Sequence, residues 1–244
     1  MTNHTANFVP RLSERLKLVA SFVPQDSRIA DIGTDHGFVP ICLAKEGRIK
    51  SALAMDVRTG PLERAEAHIK EAGISDIPIS TRLSDGLKEL KSQEADTVII
   101  AGMGGELEIK ILQEGRHLWS TIRRFILSPQ SDLEKVRRFL SEEGFLIEKE
   151  AMLREEGKYY TVMSVVRGAM VYNRIIEYRY GKYLLEQKEP VLKEYLKKEE
   201  ERVLAILASL SAKEEGELTK GQEKARQSLL EELSQIREAE YEVQ

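Results

Sequence analysis

The chain has 244 residues, 41% of them hydrophobic and 32% charged, with a formal charge of −4. That length allows one full domain and part of another, and the slight acidity excludes a generic polyanion binder, so a nucleic-acid partner would have to be met by local patches. The one cysteine, Cys42, excludes an internal disulfide and fits a reducing cytoplasm, while MTNHTANFVP has no basic region leading into an apolar run, so neither export nor a membrane span is expected.

Along the chain, Leu12, Leu16, Val19 and Ala20 share one helical face, and Pro24 ends that helix. RIADIG is a short apolar strand closed by glycine. Val39 to Ala44 continue as a buried helix, with Pro40 tolerated in its first turn. SALAMDV is a second strand, and a helix from Thr59 follows, with Leu62, Ala65, Ile69 and Ala72 inward and Gly73 at its end. IPISTRLSDG is a third strand and ADTVIIAG a fourth, apolar enough in its second half to be covered on both faces. GELEIKILQEG is a helix, RRFILS a fifth strand, and DLEKVRRFLSEEG a helix opened by Asp132 and closed by Gly144. FLIEKEAML and YYTVMSVVRG are strands joined by REEGK, a hairpin signal. This alternation predicts an α/β fold, a mainly parallel doubly wound sheet with a closing antiparallel hairpin.

After Gly168 the pattern changes. Tyr178, Leu185, Leu192, Leu196, Val203, Ile206 and Leu210 keep approximate heptad positions, and Leu218, Ala225, Leu229, Leu233 and Ile236 form a second stripe across SAKEEGELTKG. The expectation is a C-terminal helical hairpin, with Pro190 breaking its first arm, and a division into residues 1–168 and 169–244. The second part carries 13 Lys/Arg against 16 Asp/Glu, so it is not a polyanion clamp; a stability cap or dimerisation arm and an arm for a large substrate both stay open.

Four loops should meet beyond the carboxyl ends of the strands. The first, DIGTDHG, has Asp35 where a dinucleotide fingerprint would carry its second glycine. A carboxylate beside a pyrophosphate is repelled by about 4 kcal/mol at roughly 4 Å. S-adenosylmethionine has no phosphate and carries a sulfonium and an ammonium, which an acidic loop suits. Asp56, 25 residues after Asp31, stands where an acid accepts from ribose hydroxyls. Asp85 in LSDG could accept from an adenine amino group, and AGMGG lets a flat group approach the main chain. The candidate cofactor contacts are therefore Asp31, Gly33, Thr34, His36 and Gly37; Asp56 and Val57; Ser84, Asp85 and Gly86; and Ala101, Gly102, Met103 and Gly104. Blander readings stand beside these: Asp35 as the cap of the next helix, His36 as a satisfied loop histidine, Met103 as packing and Cys42 as structural. No metal is expected.

LSERLKLVASFVP, DIGTDHGFVP, AMDV, LSDG, AGMGG and YGKYLLEQKEP together resemble the bacterial tRNA (adenine-N1)-methyltransferases that modify adenine 22. The resemblance covers nearly the whole chain and implies a Rossmann-like class I methyltransferase domain using S-adenosylmethionine, a C-terminal coiled-coil domain and tRNA as partner. The chain departs from it around LSPQSD, at Ser128–Asp132, where an asparagine is expected. Adenine N1 is nucleophilic when neutral, and its methylated product is cationic. Asp35 is accordingly the candidate catalytic residue, supplying negative potential, and the Gly102 carbonyl is a candidate acceptor for the adenine amino group. Arg11, Arg15, Arg58 and Arg154, with Arg116, Arg123 and Arg124, are candidates for phosphate contacts at the pocket mouth. A monomer is the working expectation. A methyltransferase of the same fold acting on a small molecule or protein, or a non-enzymatic RNA-binding protein, are the alternatives.

Overall fold

The computed structural model describes residues 8–211 and 219–244. The chain divides between Met170 and Val171 into two compact units. In the first, α1 (Glu14–Ser21) precedes β1 (Ser27–Ile32), α2 (Phe38–Lys45), β2 (Ile49–Asp56), α3 (Thr59–Ala72), β3 (Ile79–Leu83), β4 (Thr97–Ala101), α4 (Gly105–Glu114), β5 (Arg124–Ser128), α5 (Leu133–Glu142), β6 (Phe145–Glu155) and β7 (Lys158–Arg167). The strands form one sheet in the order β3-β2-β1-β4-β5-β7-β6; β1 to β5 are parallel, and β7 runs antiparallel to both its neighbours. The doubly wound alternation expected from the sequence is what the chain forms.

β4 is central, which is why Val98, Ile99 and Ile100 are all buried. Ile99 packs with Ile29, Val39 and Leu43 on the α1–α2 face, while Val98 and Ile100 pack with Ile111, Leu112 and Val136 on the α4–α5 face. Each such side chain contributes about 1.5–3 kcal/mol by leaving water. Pro40 sits in the first turn of α2, as its missing amide requires. Cys42, on the same helix, is buried, and its thiol donates to the Pro10 carbonyl at 3.2 Å. Burial, with a smaller push from Glu46, raises that thiol to about 11.

The REEGK turn is tighter than its sequence suggests. Arg154 and Glu155 still pair in the ladder, so only Glu156 and Gly157 turn, both with positive φ, the geometry of a two-residue hairpin loop. The helix over DLEKVRRFLSEEG is present with Asp132 at its N-cap position, but the Asp132 side chain does not cap it. Its backbone is left-handed at φ 56° and no side-chain capping bond forms; its carboxylate instead accepts from the Ser131 hydroxyl at 2.6 Å and lies 3.1 Å from Lys135 Nζ. From the same helix, buried Arg137 donates to Glu150 on β6 through Nε at 3.0 Å and Nη2 at 2.6 Å.

The second unit has a π-helical turn (Glu177–Gly181) running into α6 (Lys182–Glu186), then α7 (Pro190–Ser211) and α8 (Lys220–Glu242), with α7 and α8 packed on each other. Pro190 opens α7, as the expected break requires. Thr219 starts α8 with a capping box closed by Gln222. Leu192, Leu196, Val203, Leu233 and Ile236 form the buried seam, but Ile206 and Ala225 of the expected stripes are exposed. Two helices alone cover only one seam, and among the described residues α6 packs on α8. Leu218 lies outside the described residues. No described helix is long and apolar enough to cross a membrane.

Candidate active site

The strand order reverses between β1 and β4, where an open α/β sheet places its ligands. A cavity of about 310 Å³ opens there, with Asp31, Gly33, Thr34, Asp35, Arg11 and Arg15 in its wall. The DIGTDHG loop is fastened to the neighbouring strand: the amides of Gly33 and Thr34 both donate to the Met55 carbonyl, at 2.7 and 3.0 Å. Gly33 has φ +73°, a backbone that favours glycine, and its bare Cα leaves room for the methyl group of Met103.

Two acids end adjacent strands. Asp31, on β1, is buried; burial pushes its carboxyl up to about 6, the nearby Thr34 hydroxyl pulls it down, and the neighbouring Asp56 pushes it up again. Asp56, on β2, is also buried, and its Oδ1 accepts from the Arg58 amide at 2.8 Å and lies 3.5 Å from Arg58 Nε. Among the described residues Asp31 has no cation paired with it, which suits the ammonium of an amino-acid ligand. Asp56 keeps acceptor capacity for hydroxyl groups.

Asp35 is different. Its side chain is 74% exposed, with Oδ1 3.3 Å from His36 Nε2 and 3.5 Å from Arg64 Nη2. The N-cap position of α2 belongs to Gly37, and no side chain caps that helix, so the capping reading of Asp35 is set aside. Gly37 brings the start of α2 against α3: a Cβ there would meet Ala65 Cβ at 3.2 Å. His36 adopts φ 64°, its ring stacks on Phe38 at 5.1 Å, and its carbonyl oxygen lies 3.1 Å from His68 Nδ1. The ring is packed within its loop, but its Nδ1 is buried without a hydrogen-bond partner, so it is not a fully satisfied histidine.

In the third loop the Ser84 hydroxyl donates to the Gly86 carbonyl at 2.8 Å and accepts from the Glu89 amide, so it shapes the turn. Asp85 is solvent-facing and paired with Lys88, which holds its carboxyl below the usual range. Val57 and Leu83 are 60% and 53% exposed, apolar groups left uncovered beside these acids. In the fourth loop, which follows Ala101 at the end of β4, the Gly102 amide donates to the Ser128 carbonyl at 3.1 Å and the Gln130 amide to the Met103 carbonyl at 2.8 Å. Gly104 takes the N-cap of α4, and the Ser131 hydroxyl accepts from the Gly105 amide at 3.3 Å. AGMGG and LSPQSD are thus laced together, although the second segment lacks the asparagine the resemblance implies.

The arginines separate into two groups. Arg11 and Arg15 line the cavity, Arg58 stands beside Asp56, and Arg154, near the hairpin turn, lies over the Tyr159 ring at 5.8 Å. Arg123 and Arg124 instead stand at the beginning of β5, the opposite edge of the parallel strands, and Arg116 follows the far end of α4, paired with Glu143. These three are not at the pocket mouth, because strand direction sends each chain segment to one end of the sheet or the other. Sequence reasoning missed Glu108, which is fully buried in α4 with neither carboxyl oxygen hydrogen-bonded, its carboxyl raised well above the usual range by burial. The signal was present: Glu108 falls three and four residues before inward Ile111 and Leu112, whereas Leu107 is exposed.

Comparison with known proteins agrees with this geometry. Residues 12–163 match the family model described as a methyltransferase domain. The tRNA (adenine(22)-N(1))-methyltransferase of Bacillus subtilis (strain 168) is 35% identical over 158 residues, 65% of this chain and 66% of that protein. Streptococcus pneumoniae Sp1610 in complex with S-adenosyl-L-methionine superposes with a TM-score of 0.83 at 33% identity, covering 94% of this chain and all of that one (100%). Mycoplasma capricolum TrmK in complex with S-adenosyl-homocysteine superposes with a TM-score of 0.81 at 25% identity, over 96% and 99% of the two chains. The chain belongs to the methyltransferase-domain family and, within it, to the bacterial tRNA (adenine-N1)-methyltransferases.

Proposed function

We propose that this chain transfers a methyl group from S-adenosylmethionine to N1 of adenine 22 in tRNA. The observation that carries the reading is the pair of buried acids, Asp31 and Asp56, closing adjacent strands beneath a glycine turn at the point where the sheet order reverses. The residues fit the donor. Asp31 holds the ammonium, Asp56 accepts the ribose hydroxyls, Asp85 takes the adenine amino group, and Val57 and Leu83 lend apolar surface to the adenine ring. Gly33, Thr34, His36 and Gly37 shape the first loop, Ser84 and Gly86 the third, and Ala101, Gly102, Met103 and Gly104 the fourth.

When bound, S-adenosylmethionine supplies an electrophilic methyl group. The neutral N1 lone pair attacks without prior removal of a proton, so this chain's work is alignment and charge. Asp35, beside the cavity, supplies negative potential as the methylated base becomes cationic. The Gly102 carbonyl accepts from the target amino group and turns N1 toward the donor. Residues 1–168 form the catalytic domain and 169–244 a helical domain; Arg11, Arg58 and Arg154 meet tRNA phosphates, so affinity falls as salt rises.

The test is methyl transfer from labelled donor to an unmodified tRNA transcript, followed by nucleoside analysis. The expected product is 1-methyladenosine, absent from a transcript with guanine at position 22. Label in a protein or small molecule, with none in tRNA, would overturn the reading.

A further inference from the structure

The Gln130 carboxamide stands beside Gly102, and among the described residues it has no hydrogen-bond partner. A Cβ built on Gly102 would lie 3.7 Å from Gln130 Nε2. Gln130 is exposed, but its backbone is held. Its amide donates to the Met103 carbonyl at 2.8 Å, the Gly102 amide donates to the Ser128 carbonyl at 3.1 Å, and Pro129 between them is buried. The loop after β4 and the loop after β5 therefore present a glycine carbonyl and an unused carboxamide side by side. A carboxamide offers an acceptor and a donor in one plane, the pattern that reads a base edge.

We propose that Gln130 reads the N7 side of the target base and so selects adenine over cytosine. The inference rests on the transfer to adenine N1 and the Gly102 contact proposed above. Those two features alone are ambiguous. Adenine shows a nucleophilic ring nitrogen beside an amino group, and so does cytosine, so the Gly102 carbonyl would accept from either. It excludes guanine and uracil, which would turn a carbonyl oxygen toward it. What separates adenine from cytosine is N7, which a pyrimidine lacks. The adenine amino group has two hydrogens. The one on the N1 side goes to Gly102, and the one on the N7 side goes to Gln130 Oε1 while Nε2 donates to N7, the bidentate pairing of a carboxamide with adenine. N1 stays turned to the donor, because neither contact uses it.

Substitution of a single atom in the RNA tests this. Otherwise unmodified tRNA is assembled with adenine or 7-deazaadenine at position 22, and kcat/KM for methyl transfer is measured with the full wild-type chain, Gln130→Ala and Gln130→Glu. 7-Deazaadenine keeps N1 and the amino group and has carbon in place of N7. Comparing the adenine preference between proteins cancels any change in N1 reactivity. That preference should be roughly tenfold larger in wild type than in either variant, the worth of one good base-edge contact. Glutamate has the shape of glutamine but no donor for N7, so it should behave as alanine does. Both variants should keep their affinity for S-adenosylhomocysteine. An equal preference in all three proteins, a preference lost with alanine but kept with glutamate, or a loss of cofactor affinity would overturn the assignment. No transfer by wild type to either tRNA sinks the methyltransferase reading itself and this inference with it, a different outcome from an N7 that goes unread.

Discussion

The methyl group of Met103 lies directly over Gly33, so that a Cβ on the glycine would stand 2.1 Å from Met103 Cε. Met103 can swing aside, but the φ of +73° cannot be relaxed without moving the loop whose amides hold the Met55 carbonyl. Gly33→Ala is therefore expected to cost about 1–2 kcal/mol of stability, the penalty for a left-handed L-residue, and to weaken S-adenosylhomocysteine. Denaturant unfolding and calorimetry measure the two losses. A fully stable variant with wild-type affinity would show that the loop adapts.

Asp31→Asn should act in opposite directions on folding and on binding. The folded-state carboxyl is raised from 3.8 to about 6, chiefly by burial. Between those values the native chain holds more protons than the unfolded chain, so stability falls as pH rises from about 4 to 6. At neutral pH the ionised acid then costs up to about 3 kcal/mol. Asparagine removes that cost. The variant should melt higher than wild type at pH 7, match it near pH 4, and bind the cationic donor poorly.

The same ionisation governs donor affinity in the wild-type chain. A cation prefers the ionised acid, so affinity should be steady above pH 7 and decline as pH falls through about 6. Titrations at a series of pH values read the midpoint. Asp31→Asn should flatten the profile, and an unchanged profile would assign the acid-sensitive step to another group.

Glu108→Leu is expected to stabilise the chain by about 1–3 kcal/mol, because it replaces a buried carboxyl whose oxygens have no partner by a side chain of similar size. Arg137→Met should do the reverse, costing about 3–5 kcal/mol by leaving buried Glu150 without its cation. Thermal melts of both variants test the pair of signs together.

Asp35→Asn keeps the shape of an exposed side chain and removes its charge. Turnover on tRNA should drop on the order of a hundredfold, with affinity for S-adenosylhomocysteine retained. Wild-type turnover would end the electrostatic role of this residue.

Much of this was legible in the sequence because local chemistry and fold agree. Alternating periods gave the strand and helix order, Gly73 and Pro190 marked ends that the backbone respects, and Asp31 and Asp56 lie at the carboxyl ends of adjacent strands. What escaped depends on contacts distant in sequence. Whether an arginine reaches the cavity depends on which end of the sheet its segment occupies, so Arg15 on α1 and Arg124 on β5 look alike until the sheet is assembled. Asp132 resembled a cap, but the Ser131 hydroxyl and Lys135 claim its carboxylate. Ile206 and Ala225 keep the period of the C-terminal stripes but are exposed, because a periodic spacing alone does not say which turns a neighbour covers.

The hydrogen bond from Cys42 to the Pro10 carbonyl has a practical side. The chain's one thiol is buried and, near 11, almost wholly protonated at neutral pH, so alkylating reagents should leave it untouched while the fold persists. A cysteine introduced at Arg154 or Val57 would then be the sole labelling position. A fluorophore attached there could report ligand arrival at the cleft without first removing the native sulfhydryl.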